Sequence, residues 1–289
     1  MFYQPTMMDA LSDYGSARYV IFGVPFDGTS SYRAGSRLGP NAMRQVSENF
    51  ESYNSYFNID LADLQIHDAG NLEVYASVNY TLRDLYHDVI PIVEEGRVPL
   101  MLGGEHSLSY PCVKACAEHA GEDFGVVVLD AHFDLRNEFG GLKYNHACVS
   151  RHIIDAITDN YVSIGIRSGP KDEWEFAAKN NIQYYTPEDV VEMGTAELLS
   201  EVLDQLDCSH IYLSLDMDVF DPAYAPAVGT PEPFGLTSIQ VRDMVRRLAP
   251  LSMGFDVMEI TPGYDGGQTA ILGTKLMREF IAAHAAAIS

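Results

Sequence analysis

Asp130-Ala131-His132-Phe133-Asp134 places three metal-ligand-type side chains two residues apart, directly after the apolar, β-branched run Phe124-Gly125-Val126-Val127-Val128-Leu129. That run predicts a strand buried on both faces of a parallel sheet. Side chains in extended backbone repeat every two residues, so two carboxylates and one imidazole share a side and converge as a metal would need. Ligand sites of open α/β sheets lie at such carboxyl ends. Taken alone, the pattern equally describes a polar strand end, and its weight depends on the rest of the chain.

The same residue types recur after two other predicted strands. His106 follows Val98-Pro99-Leu100-Met101-Leu102 within Gly103-Gly104-Glu105-His106-Ser107, and Asp216 and Asp218 follow the run His210 to Leu215. Four aspartates gathered in one cleft repel unless cations neutralise them. Two divalent metals would do so, and an oxygen-rich set with a few imidazoles and no thiolate suits Mn²⁺ or Mg²⁺ better than structural zinc. Paired metals can share one bridging water and lower its pKa. His67, His87, His119, His210 and His284 fall outside this set and read as surface or packing residues; Asp27 reads as a loop cap and Asp221-Pro222 as a turn.

Hydrophobic periodicity supplies the elements that position these residues. Strands are predicted over 18–25, 64–67, 98–102, 124–129, 161–166, 182–185, 210–215 and 252–258. Helices are predicted over 41–51, 78–95, 108–119, a stretch ending at 153, 170–179, 187–206 with Thr186 as N-cap, 238–248 and 269–287. Strands alternating with helices, with no linker or repeat, predict an α/β fold: one doubly wound, eight-stranded parallel sheet with helices on both faces. Residues 1–289 form a single domain in this reading, with 1–13 a loosely attached N-terminal arm.

Composition narrows the function classes. Eighteen basic against 41 acidic residues give a formal charge of −23, which repels phosphate backbones and anionic membranes. Nucleic acid and membrane are excluded as partners; the acidic balance suits a cationic substrate, or solubility in a salty cytoplasm. No run is long enough to span a bilayer and the start carries no signal-peptide pattern, so a cytoplasmic location is expected. Cys112, Cys116, Cys148 and Cys208 lack a zinc or disulfide spacing and read as reduced thiols.

The motifs Gly103-Gly104-Glu105-His106-Ser107, Asp130-Ala131-His132-Phe133-Asp134, Ser214-Leu215-Asp216-Met217-Asp218-Val219-Phe220-Asp221-Pro222 and Gly23-Val24-Pro25-Phe26-Asp27-Gly28 together resemble the ureohydrolase family of arginases and agmatinases. The resemblance implies an arginase-type fold and two Mn²⁺ per subunit, one held by His106, Asp130, Asp134 and Asp216, the other by Asp130, His132, Asp216 and Asp218. It also implies a trimer or hexamer, with Glu259 pairing the substrate guanidinium, His146 shuttling protons and Asn145 contacting substrate. Ala147-Cys148 departs from the glycine more common after that histidine, which leaves His152 as a rival. The implied reaction is hydrolysis of a small cationic guanidino compound to urea and a primary amine. The loop Leu135 to Tyr144 resembles the agmatinase type and lacks the polar run by which arginases recognise an amino-acid head. Agmatine is therefore the expected substrate; arginine and aminopropylagmatine are alternatives, and Arg136 and Lys143 keep guanidinobutyrate in view. An amine deacetylase of the same fold would keep one zinc, and His106 with Asp134 speaks against it.

Overall fold

Tyr19 and Ile21 point into one apolar core, and Val20 and Phe22 into another. Val127 and Leu129 part from Val126 and Val128 in the same way. Each buried strand thus feeds two cores, which requires helices on both faces of one sheet.

The computed structural model describes residues 5–288. In chain order the elements are β1 (Tyr19–Gly23), α1 (Gly39–Ser47), β2 (Tyr53–Asn54), β3 (Ile59–Asp60), β4 (Ile66–Asn71), α2 (Val78–Glu94), β5 (Val98–Leu102), α3 (Ser109–Ala120) and β6 (Phe124–Leu129). They continue as α4 (Val149–Ala156), β7 (Tyr161–Ile164), α5 (Lys171–Asn180), β8 (Gln183–Tyr185), α6 (Pro187–Met193), α7 (Thr195–Leu206), β9 (His210–Asp216), α8 (Ser238–Leu248), β10 (Ser252–Met258) and α9 (Gln268–Ile288). The eight-stranded sheet runs β4-β1-β5-β10-β9-β6-β7-β8, with every pairing parallel. The central four strands β5, β10, β9 and β6 are those whose carboxyl ends carry the ligand-type residues.

Two expectations need correction, and one pair of strands went unread. The helix expected over 187–206 is two, because Gly194 adopts φ +79°, a left-handed conformation that ends α6, and the chain restarts as α7. The predicted cap holds: Thr186 accepts from the Asp189 amide and Asp189 accepts from the Thr186 amide, a complete capping box. The antiparallel pair β2 and β3 was invisible in the sequence, since two-residue strands carry no period to detect. The N-terminal arm is not loosely held over its described part. Met7 and Asp9 are buried, the Met7 amide donates to Asp68 (2.8 Å), and Asp9 is ion-paired with Arg278 of α9. Residues 1–4 lie outside the described part of the chain.

Helix α9 packs its buried face along α1 and α8, and near its end His284 Nδ1 shares a hydrogen bond with the Tyr19 hydroxyl (2.9 Å) while its ring stacks near Phe280. Burial, reinforced by Arg18, lowers the His284 pKa from 6.5 to about 4. The unfolded chain takes up this proton below about pH 6.5 and the folded chain only near 4, so the contribution is complete above 6.5 and is lost as pH falls through that window. His284→Asn should flatten the decline of unfolding free energy between those limits by up to about 1.4 kcal/mol per pH unit. Urea denaturation of both proteins across the range measures it, and parallel slopes would refute the assignment.

Candidate active site

All the ligand-type residues leave the sheet at its carboxyl edge. His106 opens the turn beyond β5, Asp130 follows β6, Asp216 ends β9, and Glu259 follows β10. The approach of β5 to this edge depends on Gly103 and Gly104: a Cβ on Gly104 would run into the Phe26 carbonyl oxygen, and one on Gly103 into the Met258 side chain. Glu259 donates its amide to the Gly104 carbonyl (2.9 Å). Two site residues, Asp134 (φ +52°) and Glu259 (φ +64°), occupy the left-handed region that side-chain-bearing residues rarely adopt.

His106 Nδ1 lies 3.0 Å from Asp130 Oδ2, 3.2 Å from Asp216 Oδ2 and 3.3 Å from Asp134 Oδ2. His132 Nδ1 lies 3.0 Å from Asp218 Oδ2 and 3.7 Å from Asp130 Oδ1. Two groups of metal-competent atoms result, His106 with Asp130 and Asp216, and Asp130 with His132 and Asp218. Asp130 belongs to both. Asp216 falls in the first group only, and Asp134 reaches that group through its approach to His106.

Backbone amides fix the orientation of these carboxylates: Asp130 Oδ1, the oxygen on the His132 side, accepts from the His132 amide (2.6 Å), Asp216 Oδ1 from Asp218 (2.9 Å) and Asp218 Oδ1 from Ala131 (3.2 Å). On the other side His106 Nε2 meets Ser214 Oγ (3.0 Å), which donates to buried Asp256 (2.6 Å); Asp256 also accepts from the Tyr212 hydroxyl (2.9 Å). This places the open nitrogen of His106 at Nδ1, as a metal ligand would need.

Burial, then Asp218 and Asp130, push the Asp216 pKa well up, and burial, then Asp130, lift Asp134 to about 6. Burial also opposes charge on His106 and Asp130, yet their mutual attraction wins: the three aspartates hold His106 well above its ordinary value, and His106 with His132 hold Asp130 below the carboxylate range. The cluster thus favours positive charge among its carboxylates. His106 Nδ1 and Asp130 Oδ2 are buried and, although 3.0 Å apart, make no hydrogen bond to each other or to anything else. Two orphaned lone-pair donors aimed at one point fit a divalent cation.

The centre opens into a cleft of about 280 Å³ lined by His132, Asp134, His146, Glu173, Asp218 and Glu259 among others. Glu259 Oε1 accepts the His106 amide (2.9 Å), and burial, then Asp216 and Glu105, raise its pKa well above normal. His146 stands on the cleft wall between Thr29 and Ser31, with burial as the main cause of a pKa lowered to about 4. His152 does not reach the cleft; it bonds the Lys143 carbonyl (2.6 Å) and packs against Tyr110 and Tyr144. Asn145, expected to contact substrate, is turned away instead: its Oδ1 accepts the Ala147 amide (3.0 Å) to cap the turn that carries His146.

Over residues 17–283 the chain matches the family model described as the arginase family. The chain belongs to the arginase family. Its fold superposes on a crystal structure of agmatine ureohydrolase of Thermoplasma volcanium with a TM-score of 0.93, at 40% identity over 99% of this chain and 96% of that one. It is 36% identical to an agmatinase of Pyrococcus horikoshii over 92% of this chain and 91% of the relative. It is also 36% identical to an N(1)-aminopropylagmatine ureohydrolase of Thermococcus kodakarensis, over 90% and 88%.

Sequence reading missed several residues of this arginase-family site. Glu105 is fully buried and accepts from the Thr29 amide, the Thr29 hydroxyl and the Ser107 hydroxyl, each at 2.6 Å. Glu173 lines the cleft and accepts from Arg136 (3.0 Å), whose guanidinium also stacks on Phe139. Thr230 donates to Asp218 Oδ2 (3.0 Å). Thr29, Arg136 and Asp218, which assign these residues to the site, lie 76, 37 and 12 residues from them, beyond the window of a local pattern. Lys143 does not line the cleft and lies over the Tyr144 ring. Gly104→Ala should displace the Phe26 loop and destabilise the fold by about 1–3 kcal/mol, as overpacking typically does. Thermal unfolding checks this, and an unchanged midpoint would mean that the loop yields freely.

Proposed function

We propose that this arginase-family hydrolase is a Mn²⁺-dependent agmatinase, converting agmatine and water to putrescine and urea. His106, Asp130, Asp134 and Asp216 would hold one cation, and Asp130, His132, Asp216 and Asp218 the other. Bound there, the two cations supply Lewis acidity that neutralises the aspartates and lowers the pKa of water.

The chain's own residues account for the rest. Glu259 receives the guanidinium: its carboxylate, made costly to ionise by burial and its acidic neighbours, gains most from an arriving planar cation. Its amide and Oε1 are both tied to the Gly103–His106 turn, so the substrate carbon is presented at a fixed place. As oxygen adds to that carbon and the C–N bond to the alkyl chain breaks, the departing amine needs a proton. His146, neutral at rest and on the cleft wall, takes a proton from the attacking water and returns it to the amine.

The observation that carries the substrate choice is the Arg136–Glu173 pair. Arginine and guanidinobutyrate bring a carboxylate; of the two arginines that line the cleft, Arg136 is engaged by Glu173, and Arg33 bonds the Pro226 carbonyl and lies over the Tyr32 and Tyr264 rings. Agmatine brings a second ammonium, and an acidic wall suits it. The equal 36% identity to an aminopropylagmatine ureohydrolase favours that longer cation as the second reading. No described helix is long and apolar enough to cross a membrane, in keeping with action in the cytoplasm, and assembly as a trimer or hexamer completes the proposal.

With Mn²⁺, urea release from agmatine should exceed that from arginine and guanidinobutyrate by at least about 100-fold in kcat/KM, the scale set by an unpaired buried charge. Equal turnover of arginine would sink the proposal, and faster turnover of aminopropylagmatine would promote the second reading. Asp216→Asn should lose bound metal and nearly all turnover; two metals per chain with normal activity would remove Asp216 from the ligand set. His146→Ala should lower kcat by about 10²–10⁴-fold with metal content intact, whereas an unchanged kcat would return the proton to solvent.

A further inference from the structure

The three hydrogen-bond positions of the Thr29 hydroxyl are all occupied. A threonine hydroxyl has one proton to give and two lone pairs to receive with. Thr29 Oγ1 lies 2.6 Å from Glu105 Oε1, and it accepts the His146 backbone amide (3.1 Å). The third neighbour is His146 Nδ1 at 3.2 Å. Glu105 is fully buried, and its two oxygens face three donors: the Thr29 amide, the Thr29 hydroxyl and the Ser107 hydroxyl. A carboxylate so surrounded takes the Thr29 proton, which leaves Thr29 only a lone pair to offer the imidazole.

From this saturation we infer that Glu105 and Thr29 fix the tautomer of His146, with the ring proton on Nδ1 and the lone pair on Nε2. Glu105 and Thr29 are positioning residues, and their importance for turnover rests on the proton-carrying role proposed for His146. Free imidazole side chains favour the opposite tautomer, so the environment must impose this one. Nε2 then faces Ser31 Oγ (3.2 Å), whose hydroxyl is exposed and can donate to it or turn away. Phe139 closes one side of the ring edge-on, with ring centroids 6.1 Å apart, and offers no competing acceptor for the Nδ1 proton. The nitrogen able to accept a proton is therefore the one that does not face Thr29. A histidine in the wrong tautomer would offer Thr29 a lone pair where Thr29 has no proton left, and would block its own basic nitrogen.

The arrangement also explains the link between two distant loops. Glu105 stands immediately before His106, and Thr29 lies in the loop after β1, so one carboxylate registers the metal-side turn, the β1 loop and the His146 turn together. A purely structural role would predict only a loss of stability when Thr29 is changed. The tautomer role predicts more, because Thr29→Ser keeps the hydroxyl whereas Thr29→Val keeps the shape and removes it.

The test uses full-length enzyme labelled with ¹⁵N and ¹³C at histidine and loaded with diamagnetic Mg²⁺. Solid-state ¹⁵N spectra are compared with those of His146→Ala to isolate the His146 signals, and the nitrogen bonded to Cγ identifies Nδ1. In the wild type and in Thr29→Ser, Nδ1 should be the protonated nitrogen; in Thr29→Val the proton should move to Nε2 in at least a substantial fraction. In parallel, Mn²⁺-loaded Thr29→Val should lose at least about 10-fold in kcat with KM and metal content near wild type, and Thr29→Ser should restore kcat. A proton on Nε2 in the wild type, or an Nδ1 proton unaffected in Thr29→Val, overturns the inference. If Thr29→Val does not fold, the wild-type and Thr29→Ser spectra still decide. Failure of the shuttle reading is seen separately, as a normal kcat in His146→Ala, and leaves the tautomer measurement standing.

Discussion

Four aspartates and a glutamate at the dry carboxyl edge of one sheet are an electrostatic problem before they are a site. Asp130, Asp134, Asp216, Asp218 and Glu259 are each less than a tenth exposed. At such separations and in so little water, their joint ionisation is held down by several kilocalories per mole unless positive charge lies between them. The surrounding structure meets that constraint by aiming. Backbone amides of His132, Asp218 and Ala131 each bind one oxygen of Asp130, Asp216 and Asp218, which fixes these carboxylates in converging orientations. The parallel sheet contributes the rest, because the adjacent strands β10, β9 and β6 end at the same edge and deliver the five carboxylates between them, with β5 beside them delivering His106.

Convergence of that kind has a local cost in backbone freedom. Glu259 and Asp134 sit at positive φ, where an aspartate is tolerated and a glutamate rarely found, and two consecutive glycines are needed for β5 to pass Phe26 and Met258. These strained positions persist because each is overdetermined: Glu259 is held by its amide to Gly104 and by its carboxylate to the His106 amide. The same two bonds that hold the strain also tie the guanidinium-facing carboxylate to the candidate metal centre. A substitution in the turn would thus act on both together.

What the sequence made legible follows from the range of the interactions involved. Strand and helix periods are local, and the eight parallel strands and the strand-end placement of His106, Asp130 and Asp216 could be read from windows of a few residues. The Gly194 break is equally local but ambiguous, since a glycine inside a helical pattern is compatible with a continuous helix and only its left-handed φ decides. The burial of Met7 and Asp9 rests on Asp68 and Arg278, and the role of Glu105 rests on Thr29, 76 residues away. No spacing rule reports such partners. Asn145 shows the converse: it neighbours His146 in sequence, yet the geometry of a short turn spends its side chain on a cap.

The acidic composition of the chain and the acidity of its cleft have different causes. The site carboxylates are matched by histidines, amides and the cations they are shaped to receive, so they add little net field beyond the cleft. The formal charge of −23 counts every acid of the chain, and the surface acids far from the cleft act on a cationic substrate only over about one Debye length, roughly 8 Å at physiological salt. Selectivity must therefore come from the cleft wall. On that wall Arg136 meets Glu173 across 3.0 Å, with Glu173 buried and its pKa raised to about 7, chiefly by desolvation and next by Asp134. Desolvation and Asp134 work against the Glu173 charge and Arg136 works for it, so a substrate carboxylate competing for that guanidinium would push Glu173 further toward protonation. A substrate ammonium, by contrast, would be attracted to the same carboxylate and would not compete with it for Arg136.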